Sequence, residues 1–130
     1  MDNAIDALLR AANEELDRLN ADNLKFTDQM NDKGRTLSAK SAQMREELDY
    51  ARGEVKAAES LSDSDVKTAL KASAEEHLSK TTSSIEKFTK EAMDEMKVLE
   101  DKVNSIRAEV RVAIGQVRLL EKAKNYQAAA

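Results

Sequence analysis

The chain has 130 residues, no proline, no cysteine, no tryptophan and only three glycines, Gly34, Gly53 and Gly115. Charged residues make up 35% and aromatic residues 3%, with a formal net charge of −4 at pH 7. These figures exclude disulfides and thiolate metal sites, argue against a thick core anchored by aromatic side chains, and free most of the chain from its strongest helix breaker. A mixture rich in Ala, Glu, Lys, Leu and Arg is that of long helices and coiled coils. Regular spacing of the apolar residues separates it from a disordered chain of the same hydropathy.

The N-terminus, Met1-Asp2-Asn3-Ala4, opens directly into an amphipathic pattern and carries Asp2 and Asp6. A secretory signal would begin with basic residues and continue as an apolar stretch. The expectation is therefore a cytoplasmic protein without a transmembrane segment, with secretion by a route that needs no cleaved signal left open.

A first arm is predicted over about 3–60. Ile5, Leu9, Ala12, Leu16, Leu19, Asn23, Phe26, Met30, Lys33 and Leu37 follow steps of four and three, the heptad rhythm that keeps one seam facing a partner helix. The seam resumes at Met44, Leu48, Ala51, Val55 and Ala58 after two consecutive steps of four through Ser41, a stutter. Gly34 lies there, and the reading favours a continuous helix with a kink over a helix end. Asn23 occupies a seam position between Leu19 and Phe26. An asparagine so placed either sets register and oligomeric state or sits near solvent.

Ser60-Leu61-Ser62-Asp63-Ser64-Asp65 is the clearest break, and the turn is placed at 61–65. Ser62 or Ser64 can cap the next helix, with Asp65 placing negative charge in its first turn. A second arm over about 66–126 carries the seam Val66, Leu70, Ala74, Leu78, Thr81, Ile85, Phe88, Ala92, Met96, Leu99, Val103, Ile106, Val110, Ala113, Val117 and Leu120. Thr81-Thr82-Ser83-Ser84 is its weak point, where Ser83 and Glu86 could form a capping box and restart the helix. The tail 127–130 is expected to fray.

The fold expected is all-α: one domain, a long antiparallel helical hairpin with coiled-coil-like pairing, elaborated into an elongated bundle or assembled as a homodimer. Charge supports this pairing. Residues 1–32 hold Asp2, Asp6, Glu14, Glu15, Asp17, Asp22, Asp28 and Asp32 against three bases; residues 97–124 hold Lys97, Lys102, Arg107, Arg111, Arg118, Lys122 and Lys124 against four acids.

His77 is the single histidine, beside Glu75 and Glu76, and reads as a surface residue next to the seam rather than half of a helical metal site, which needs Glu-x-x-His pairs. No catalytic grouping, metal site or cofactor is expected. Arg107, Arg111, Arg118 and Lys122 recur at steps of four, seven and four, a basic stripe that either neutralises the acidic first arm or contacts an acidic ligand. The net charge and the lack of aromatic residues near the stripe argue against nucleic acid. The function expected is a non-enzymatic protein–protein interaction module (an adaptor, small chaperone or assembly component) presenting helical faces. The alternative is an amphipathic protein that lies on lipid or another hydrophobic surface.

Overall fold

The computed structural model describes the backbone of residues 4–129 and the side chains of residues 4–128. Asp2 of the acidic segment and Ala130 of the tail lie outside the described residues. Two helices account for the fold, α1 (Ala4–Glu59) and α2 (Asp65–Ala129), packed against each other as a helical hairpin with no strand among the described residues.

The turn is built as the sequence anticipates, one residue early. The amide of Ser60 donates to the carbonyls of Lys56 and Ala57, and that of Leu61 to Ala58, tightening the end of α1. Lys56 in the last turn of α1 and Asp65 in the first turn of α2 oppose the partial charges of the helix ends. Of the two candidate caps the structure uses Ser64: the amide of Lys67 donates to Ser64 Oγ at 3.1 Å and that of Thr68 to the Ser64 carbonyl at 3.1 Å. The helix therefore begins after Ser64, and 60–64 form the connection.

Neither expected weak point breaks a helix. α1 runs through Gly34 without positive φ at any glycine. α2 runs through Thr81–Ser84, so the capping box of Ser83 and Glu86 starts no helix. There Thr82 Oγ1 donates to the Leu78 carbonyl at 2.9 Å, and Thr89 Oγ1 to Ile85 at 2.8 Å. Such bonds satisfy the hydroxyl within the helix and remove its reason to leave it. The tail continues the helix to Ala129, beyond the boundary expected near 126.

By contact density the chain divides into two units, Met1–Asn31 with Lys97–Ala130, and Asp32–Met96. In the first, the buried residues are Ala12, Leu19, Val103, Ala113 and Val117. Asp6 Oδ1 meets Lys124 Nζ at 3.1 Å, and Lys25 and Lys102 approach the Phe26 ring at 5.9 and 5.7 Å. Of these, Asp6 with Lys124 and Lys102 with Phe26 cross between the helices and accord with their antiparallel register within the unit.

In the second unit the buried residues are alanines, Ala51, Ala58 and Ala74. Lys33 meets Glu95 at 2.8 Å, and Lys40 lies over the Phe88 ring at 5.0 Å. Two expected seam residues here are misplaced: Val66 and Leu70 are exposed, while Lys67 and Lys71 turn partly inward. Stepping back from Ala74 in strict heptad phase reaches Lys71 and Lys67, and long aliphatic stems can cover a seam while the ammonium group stays wet. Lys67 does so, its Nζ held 3.0 Å from Asp63.

Candidate interaction surfaces

The hairpin seam is consumed by the two helices, so any further contact must come from what lies beside it. In the first unit, Asn23 sits half-buried between Leu19 and Phe26, as its heptad position requires. Its Oδ1, and Thr27 Oγ1 one turn later, are shielded from solvent without a hydrogen-bond partner. A buried acceptor left unpaired costs about 1–3 kcal/mol relative to its hydrated state. Asn23 is thus a seam polar residue whose cost is present within the single chain.

On α1 the Arg18 guanidinium bridges two acids: Nε donates to Glu15 Oε2 at 2.9 Å and Nη1 to Asp22 Oδ2 at 3.3 Å. The hydrogen bond from Arg18 holds the Glu15 carboxyl below its usual range; the same bond raises Arg18, with the charges of Glu15, Asp22 and Glu109 adding to it. Glu109 is on α2, so this cluster senses both helices of the unit.

The stripe of Arg107, Arg111, Arg118 and Lys122 is exposed, and none of the four has an ion-pair partner within 4.0 Å among the described residues. Among the described residues, Asp6 with Lys124 is a cross-helix pair that joins the acidic segment to the basic one. The stripe therefore makes no ion pair with the described residues of the first arm, and its side chains are exposed.

A feature absent from the seam-centred reading lies on another side of α2. Val98, Val112, Leu119 and Tyr126 are 55–80% exposed and, with Ser105, recur at every seventh residue. Near them the two helices leave an open groove lined by Leu8, Ala11, Ala12, Glu15, Gln116, Leu119 and Leu120. The signal was present in the sequence as a second heptad register, masked because the stronger first register absorbed the period.

In the second unit His77 Nδ1 lies 3.1 Å from Glu54 Oε2, with both side chains about half exposed. This places the histidine beside the seam, now with a cross-helix partner. Among the described residues no group of His, Cys, Asp or Glu could hold a metal ion, and no helix is long and apolar enough to cross a membrane. A second groove, lined among others by Gly34, Leu37, Ser41, Phe88, Ala92 and Met96, marks the stutter, where small residues leave the seam shallow. Comparison of the chain with protein families, with curated proteins and with solved structures gives no match.

Proposed function

We propose that the chain is a non-enzymatic protein–protein interaction module, an adaptor, small chaperone or assembly component that works by presenting helical faces. The observation that carries this reading is the exposed row on α2, in heptad spacing, outside the seam that the hairpin already fills. Apolar side chains repeated every seven residues fit another helix laid along them, because that period follows a left-handed supercoil. The unpaired cations Arg107, Arg111, Arg118 and Lys122 supply a second, electrostatic contact on the same helix. Charges of this kind steer association and select an acidic partner more than they add affinity.

The test is affinity capture from native lysate with the full chain, repeated with Arg107, Arg111, Arg118 and Lys122 all changed to glutamate. The expected result is a captured protein that weakens as salt rises and is lost in the fourfold variant. Flotation with vesicles of phosphatidylcholine and phosphatidylserine at physiological salt, with no protein captured, would overturn the reading in favour of a lipid-surface protein.

A further inference from the structure

The exposed row on α2 has a symmetry of its own. The row is centred on Val112: reversal sets Val98 against Tyr126 and Ser105 against Leu119, so only the spacing is symmetric and Ser105 is its one polar member. Along one edge of the row, again at seven-residue steps, run Asp101, Ala108, Gly115 and Lys122. Reflected through a point between Arg111 and Val112, half a residue from the centre of the row, Asp101 meets Lys122 and Ala108 meets Gly115. An antiparallel copy would thus place opposite charges against each other twice, with two small residues between them where the helices approach most closely.

We propose that this face of the first unit is a self-association surface, on which a second copy of the chain lies antiparallel, α2 against α2. The proposal rests on the interaction-module reading and names one of its partners. Two observations converge on it. The charges are self-complementary under a two-fold axis, as an isologous interface requires. Apart from its chain neighbours and the nearby backbone of its own helix, no atom lies within 4 Å of a Cβ built on Gly115, so, as at Gly34 and Gly53, the space beside it is free to receive a neighbour. A bilayer surface would be served by any broad apolar face; the reciprocal placement of Asp101 and Lys122 serves only a second copy.

The experiment uses the purified full chain. Sedimentation equilibrium over a range of concentrations should give twice the 14.4 kDa chain mass, and Val112→Glu should raise the dissociation constant at least about tenfold with the helical circular dichroism retained. Asp101→Lys and Lys122→Asp should each weaken the dimer, and the double swap should restore it, since the two positions lie 21 residues apart on one helix and cannot pair within a chain. Spin labels test the direction. A label on Cys introduced at Lys97 should sit about 43 Å from its copy, from the 29 residues separating 97 and its reflected position 126 at 1.5 Å each, while mixing 97-labelled chains with chains labelled at Asn125, beside that position, should give a distance below about 20 Å. A monomer at all concentrations, a double swap that fails to rescue, or a short distance between two labels at 97 overturns the proposal. A monomer that still captures a foreign protein in the lysate experiment would remove self-association while leaving the interaction-module reading standing.

Discussion

At the scale of single residues, Asn23 and Thr27 are where the first unit carries an uncompensated polar cost. Replacing Asn23 by leucine removes a shielded acceptor that has no partner and adds apolar volume at a seam position. The expected outcome is stabilisation by about 1–2 kcal/mol, seen as a rise of several degrees in the melting temperature. A fall would show that Asn23 is satisfied by an ordered water or by a second chain. Glu15 makes a sharper residue-level test. Its folded carboxyl titrates below the ordinary value of 4.5 because Arg18 donates to the charged form. The stabilisation from this bond is therefore present above that value and is lost as pH falls through the lowered folded value. Carboxyl-detected NMR titration should find the Glu15 midpoint low in the native chain and back near 4.5 in Arg18→Ala; an unchanged midpoint would mean that the pair does not persist in solution.

At the scale of elements, the helices depend on a few local decisions. Ser64 accepts the Lys67 amide and starts α2, so Ser64→Ala should cost about 1 kcal/mol of stability in chemical denaturation. Ser62→Ala, which removes the unused cap candidate, should cost almost nothing. Gly34 and Gly53 lie inside α1 in helical conformation, with open space where a Cβ would point. Each change to alanine should stabilise by about 0.5–1 kcal/mol, because glycine there loses backbone entropy without using its conformational freedom. A destabilised Gly34→Ala would mean that α1 needs a softer backbone at the stutter. The elements were legible in the sequence because proline is absent and the seam period is long. The phase at the start of α2 was not: Val66 and Leu70 attract a hydrophobicity-based reading, yet the heptad phase set by Ala74 and Leu78 selects Lys71 and Lys67.

At the scale of the whole molecule, charge asymmetry and side-chain geometry together set what the basic stripe contributes to stability. The asymmetry between residues 1–32 and 97–124 implies that reversing Arg107, Arg111, Arg118 and Lys122 lowers the melting temperature by several degrees at low salt. None of these side chains has an ion-pair partner among the described residues, so only longer-range attraction to the acidic segment remains. The expected drop is therefore about one or two degrees in dilute buffer and vanishes near physiological salt, where screening acts over about 8 Å. Thermal melts at two salt concentrations decide it. A drop of several degrees that persists at physiological salt would show direct pairing in solution.

The sequence by itself determined that the chain is helical, where it turns and which residues make the hairpin seam, from Ile5 to Ala58 and from Ala74 to Leu120. These follow from backbone propensity and from a 3.5-residue period, both properties of the covalent order that hold before any partner arrives. Tertiary structure decided which of Ser62 and Ser64 caps α2, that Asp6 takes Lys124, that the stripe from Arg107 to Lys122 has no ion-pair partner among the described residues, and that the row from Val98 to Tyr126 is left largely exposed. Each of these depends on where a second helix ends and how far a side chain reaches. A helix offers several registers of residues at once, and only the packing of a partner against one of them shows which are used and which are left facing outward.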